Sequence, residues 1–176
     1  MGKSKEYPIV TLIQGYRQWV GQIFGVFMTI ALLGAQSAIA QDNNATDDGH
    51  SAQIMVVERF HEALLTAMKN ANSWSYEERR EMLAPHVEQS FDFNFMARFA
   101  SGSAWRDLDA DVQRSIIGAF SNFTLANYAA RFHGYSGQKF EFLKAIPHRR
   151  GRVLIRTQLL KANGDPVRLD YLMSKK

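Results

Sequence analysis

Along the second quarter of the chain apolar residues recur every three or four positions. Val57, Phe60, Leu64, Ala67, Met68 and Ala71 fall on one stripe, which predicts an amphipathic helix from about Ala52 to Ala71, ended by Asn72 and Ser73. Ser75 with Glu78 three residues later is a capping-box pattern that opens a second, short helix. Pro85 is expected to close it, because proline has no N–H and restricts Ala84 before it. Asp92 is placed to cap a third short helix carrying Phe95, Met96 and Phe99, with the turn Ser101-Gly102-Ser103 ending it. Asp109 caps a long fourth helix, and Asp111 sits favourably near its positive end. At 100° per residue, Val112, Ile116, Ala119, Phe123, Ala126 and Ala130 fall on one side of that helix and Ile117, Leu125, Tyr128 and Phe132 on the other. A helix apolar on two faces either lies between two layers of core or holds a bound apolar ligand on one face.

After Gly137 the period changes to two. Phe140 and Phe142 alternate with Lys139 and Glu141; Val153, Ile155 and Leu159 with Leu154, Arg156 and Gln158; Val167, Leu169, Tyr171 and Met173 with Arg168, Asp170 and Leu172. Three strands are predicted, joined at Arg149–Gly151 and at Asn163-Gly164, a type I′ hairpin signal. Helices followed by an antiparallel meander make an α+β fold with the helices packed on one face of a curved sheet.

The first 40 residues stand apart. Lys3, Lys5 and Arg17 precede the uncharged run from Ile23 to Ala35, and Ala38-Ile39-Ala40 is a small-residue cleavage site before Gln41. This predicts a secretory signal over residues 1–40, with an uncleaved membrane anchor as its rival; Gln18, Gln22 and Gln36 leave an apolar run nearer a signal core than the ~20 residues a bilayer needs. Residues 41–51 are polar and Asn/Asp-rich, a flexible leader to one domain over 52–176. With no cysteine, that domain has neither a lipid-modified Cys nor disulfides and rests on its core.

The composition, 46% hydrophobic and 12% aromatic, is that of a globular chain rather than a disordered one. Removing the leader takes away three basic residues and one acid, so the formal charge falls from +4 to +2. That gives no electrostatic footprint for nucleic acid, and the cluster from His148 to Arg152 reads as a solvated hairpin tip. The sequence lacks a Cys nucleophile, a G-x-S-x-G elbow, a P-loop, a dinucleotide glycine fingerprint and His spacing suited to a metal. His61, flanked by Glu58 and Glu62, reads as part of a solvated helix face. His133, at the end of the long helix, is the candidate acid/base residue, with Asp170 as its partner. Arg98 and Arg131 are charges among aromatics, with Asp92, Asp107 and Asp170 as candidate ion-pair partners.

Phe91-Asp92-Phe93, Met96-Ala97-Arg98, Gly102, Trp105-Arg106, Gln113, Ala119-Phe120, Tyr128-Ala129 and Tyr135-Ser136-Gly137 together resemble the MlaC or toluene-tolerance family of periplasmic lipid-carrier proteins. The variant Tyr128-Ala129-Ala130-Arg131-Phe132 before Gly134 is most similar to its hopanoid-associated branch. The resemblance spans roughly Val57 to Met173. It implies an NTF2-like or MlaC-like α+β fold and a soluble shuttle without catalysis or cofactor. Its ligand would be a phospholipid or hopanoid, exchanged between an inner-membrane ABC-type complex and an outer-membrane lipoprotein complex. Family members continue past the position of Met173, so the final strand and C-terminal helices are expected to be missing and the Val167–Met173 strand to be left as an open edge.

A lipid carrier must shield hydrocarbon from water, at about 0.8 kcal/mol per buried CH₂, and so needs an apolar cavity. The expected lining is Phe99, Trp105, Ile117, Leu125, Tyr128 and Phe132 from the helical half and Val153, Ile155, Leu169 and Tyr171 from the strands. Two rivals stand beside this reading: a small NTF2-like enzyme using His133 with an acid, and a ligand-free periplasmic interaction domain.

Overall fold

A computed structural model describes residues 9–13 and 49–174. The apolar run from Ile23 to Ala35, the Ala38-Ile39-Ala40 site and residues 41–48 of the polar leader lie outside the described residues. Within them the order is β1 (Ile9–Ile13), α1 (Ser51–Lys69), α2 (Tyr76–Ser90), α3 (Phe93–Ser101), a 3₁₀ segment (Gly102–Asp107), α4 (Ala110–Arg131), β2 (Lys139–His148), β3 (Arg152–Leu160) and β4 (Val167–Met173). The fold is α+β, four helices against an antiparallel sheet.

Local chemistry sets the helix starts. The Ser75 hydroxyl accepts from the Glu78 N–H at 3.2 Å while the Glu78 carboxylate accepts from the Ser75 N–H at 2.7 Å, a complete capping box. These bonds hold the Glu78 carboxyl below its ordinary pKa. Asp92 accepts from Phe95 N–H at 2.9 Å and starts α3; Asp109 accepts from Asp111 and Val112 N–H and starts α4. Gly102, at φ 58°, ends α3 in a conformation that L side chains rarely adopt.

Pro85 does not close α2, which runs on to Ser90. Proline leaves the Glu81 carbonyl without its helical partner, but both residues are exposed and water reaches the gap. Leu83 and Val87, on either side and 0% exposed, hold the helix to the core across it. Arg79 ties α2 to α4 by donating to the Ala129 carbonyl at 3.3 Å, an acceptor in the last turn of α4.

In the sheet β3 lies between β2 and β4, and β1 pairs antiparallel with β4, from Ile9 opposite Met173 to Ile13 opposite Asp170. The β4 edge that the sequence led us to expect open is therefore occupied, by residues from within the expected export signal. β2 and β3 meet in a hairpin closed by Arg149–Gly151, as expected, with Arg150 left-handed at φ 60°. The β3–β4 connection is not a type I′ turn. Six residues, 161–166, separate the strands; Gly164 has φ 88°, but Asn163 lacks the positive φ such a turn requires of both central residues. A bulge at Leu143 resets the alternation in β2, so that Phe140, Phe142 and Ala145 share the helix-facing side with Val153, Ile155, Thr157 and Leu159.

Phe60 of α1 is the centre of the core, with edge-on contacts to Phe91 (5.3 Å between centroids), Tyr128 (4.9 Å) and Tyr171 (6.5 Å). Such pairs are each worth about 0.5–1.5 kcal/mol beyond area burial. α4 is buried on one side only: Leu125, Tyr128, Ala129 and Phe132 face the core, while Val112 and Phe123 are exposed at 40% and 62%. Of the two readings its sequence allowed, burial between two layers of core is not found, since Val112 and Phe123 on the other face are exposed.

Candidate functional site: a cleft beneath the first helix

Ile54, Val57, Glu58, His61, Glu62 and Leu65 follow the i, i+3, i+4 spacing of one face of α1 and form one wall of a cleft of about 350 Å³. Phe140 and Phe142 of β2 and Ile155 and Thr157 of β3 form the other. Val57, Ile155 and Thr157, all at most 2% exposed, make the floor, and Glu58 and Glu62 are exposed at the rim. The Thr157 hydroxyl donates to the Leu169 carbonyl at 2.7 Å, so its polarity is spent within the sheet and it offers the cleft mainly its methyl group.

His61 departs most from expectation. It is not on a solvated face but 5% exposed, with Nε2 2.9 Å from the Tyr171 hydroxyl and its ring stacked on Phe140 at 3.9 Å and 10°. Burial lowers the imidazole from its ordinary 6.5 to about 3, so it is neutral at physiological pH. Burial also pushes the Tyr171 phenol well above its ordinary value, with Tyr128 nearby adding to the effect, and raises Tyr128 likewise. The signal for His61 was in the sequence: it stands four residues after Val57 and three before Leu64, on the apolar stripe itself.

The residues expected to line a cavity are distributed as follows. Ile155 lines the cleft, and Tyr171 holds its histidine. Leu125, Tyr128, Phe132, Val153 and Leu169 are buried in the core behind it, with Ile117 packed against that core from a half-buried position. Trp105 is half-buried in the 3₁₀ segment, its carbonyl accepting from Gln113. Phe99 is 76% exposed and stacks on Phe95 on the outer side of α3.

The proposed acid/base pair does not assemble. His133 is exposed beyond α4, whereas Asp170 is 1% exposed and its carboxylate is taken by Arg168 (3.0 Å) and Arg156 (3.5 Å). Those arginines, rather than Arg98 or Arg131, are the ion-pair partners of Asp170. Among the described residues no group of three or more His, Asp or Glu is arranged to hold a metal, and no helix is long and apolar enough to cross a membrane.

The fold thus sets a cleft of mixed polarity between a helix and an antiparallel sheet, with one buried neutral histidine in its wall. The family model described as MlaC protein matches residues 58–176, and the chain belongs to that family. Its fold is shared by a solved phospholipid-binding protein from Ralstonia solanacearum, determined in complex with a phospholipid. The TM-score is 0.57 at 19% identity, over 67% of this chain and 68% of that one. No curated protein matches the sequence.

Proposed function

We propose that this protein is a periplasmic lipid carrier that holds the hydrocarbon of a phospholipid or hopanoid in the cleft between α1 and β2–β3. It would pass that lipid between an inner-membrane ABC-type complex and an outer-membrane lipoprotein complex. The observation that carries the reading is the cleft itself: floored by Val57 and Ile155, walled by Phe140 and Phe142, edged by the Glu58 and Glu62 carboxylates, and set in a chain of the MlaC family. The phospholipid in the Ralstonia neighbour, which shares the fold, supports the ligand class. At about 350 Å³ the cleft is at the lower end of the roughly 300–1,000 Å³ of small-molecule sites, room for one chain rather than a whole two-chain lipid. Each methylene withdrawn from water contributes about 0.8 kcal/mol, so a single buried chain supplies the affinity a shuttle needs. In this reading the exported protein is released by cleavage after Ala40, which would also remove β1 from the β4 edge; a membrane-bound product retaining Met1 would contradict this part.

The test is transfer of a fluorescent phospholipid between donor and acceptor vesicles. Transfer should rise in proportion to added protein and fall several-fold in Leu65→Trp, which fills the mouth of the cleft from a half-buried position. A Leu65→Trp protein that is folded and transfers lipid at the original rate would place the ligand elsewhere.

A further inference from the structure

Inside the rim formed by the exposed Glu58 and Glu62 carboxylates, the side chains lining the cleft are apolar or internally satisfied except at one atom. Nε2 of His61 is engaged by the Tyr171 hydroxyl, and the other ring nitrogen, Nδ1, has no hydrogen-bond partner among the described residues. It is not among the fully buried unpartnered atoms either, so in a ring that is 5% exposed and borders the cleft, Nδ1 is the nitrogen that opens to it. Stacking on Phe140 fixes the ring plane, so the direction in which this nitrogen points is set by packing.

Which nitrogen carries the proton follows from the Tyr171 side. The tyrosine hydroxyl is in the dry core, and His61 Nε2 is its hydrogen-bond partner among the described residues. Were Nε2 protonated and donating, the hydroxyl proton of Tyr171 would be buried without an acceptor, because the neighbouring Tyr128 hydroxyl makes no hydrogen bond. An unmade buried donor is costly, so Tyr171 donates to Nε2 and the proton of the neutral imidazole resides on Nδ1. The cleft therefore presents one side-chain N–H donor between the apolar side chains of its floor and the carboxylates of its rim.

We propose that His61 Nδ1–H donates a hydrogen bond to the ester carbonyl of an acyl lipid, making His61 the residue that selects acyl esters over equally apolar ligands lacking that oxygen. This rests on the carrier reading above and deepens it. The acyl chain would lie on Val57, Ile155 and Phe142, with the ester at the depth of His61 and the headgroup outside the rim formed by Glu58 and Glu62.

The experiment compares two phospholipids of identical headgroup and chain length, one ester-linked and one ether-linked, offered to the full-length protein as an equimolar mixture in vesicles. Bound lipid is recovered and quantified by mass spectrometry. A hydrogen bond of ordinary strength predicts a preference of roughly two- to tenfold for the ester. In His61→Phe, which retains a ring against Phe140, the ester-to-ether ratio of whatever lipid is bound should fall to unity. Equal recovery of ester and ether by the original protein overturns the proposal without need of any variant, as does an undiminished preference in His61→Phe. Recovery of neither lipid would instead remove phospholipid as the carrier's ligand, and overturn this inference with it.

Discussion

Replacing His61 with phenylalanine should remove most of one pH-dependent component of stability. In the folded protein burial holds this imidazole at about 3; in the unfolded chain it returns to about 6.5. Below 6.5 the unfolded state binds a proton that the native state refuses, so falling pH favours unfolding until the folded group also titrates near 3. Each pH unit inside that window is worth about 1.36 kcal/mol. Between pH 7 and pH 5 the native protein should therefore lose about 2 kcal/mol through this residue. With a urea m-value of about 2 kcal/mol/M, that is a midpoint shift of about 1 M. His61→Phe has its own cost, about 1–3 kcal/mol, because the Tyr171 hydroxyl loses its acceptor, but that cost is the same at both pH values. The assay is urea unfolding followed by circular dichroism at pH 7 and pH 5 for both proteins, read as the difference of differences. A variant that loses as much stability as the original on going to pH 5 would show that water entering the cleft hydrates the imidazolium, refuting the dry wall on which the site is built.

Asp170→Asn leaves the Arg156 and Arg168 guanidinium groups facing an uncharged amide; since these arginines are 29% and 41% exposed, the loss should be about 1–3 kcal/mol rather than the full cost of breaking a dry ion pair, as measured by denaturant melts. Ser75→Ala removes the acceptor of the α2 capping box and should cost about 1 kcal/mol in the same assay. Ile155→Ala, at the cleft floor, should cost about 2–5 kcal/mol and reduce bound lipid, whereas Phe99→Ser should stay within about 0.5 kcal/mol and leave lipid binding unchanged. The reverse ranking for the last two would move the binding surface to the outer side of α3.

What was legible in the sequence was chiefly what is decided within a few residues. The caps at Ser75, Asp92 and Asp109, the helical stripe of α1 and the alternation of β3 each depend on neighbours in the chain, and each was read correctly. Pro85 was misread because the residues that carry α2 past it, Leu83 and Val87, draw their stability from other elements. Asn163-Gly164 suggested a two-residue turn, but the register of Leu159 opposite Val167 leaves seven residues, 160–166, to be accommodated. Two apolar sides on α4 suggested either burial between two layers or a bound ligand on one of them; composition says what a face tolerates, and tertiary packing decides what covers it. His61 was assigned to solvent on the strength of the glutamates beside it, although its spacing from Val57 and Leu64 placed it inward. The cleft was the least legible feature, since its walls come from α1 and from strands some 80 residues further along, brought together by the sheet register.

The most direct measurement is organic extraction of the purified protein, recovered from the periplasm under native conditions, with the extracted lipid identified and quantified by mass spectrometry. The carrier reading predicts an acyl phospholipid or hopanoid at close to one molecule per chain, depleted several-fold in folded Leu65→Trp. A well-folded protein that yields no lipid, and takes up none from vesicles, would contradict it.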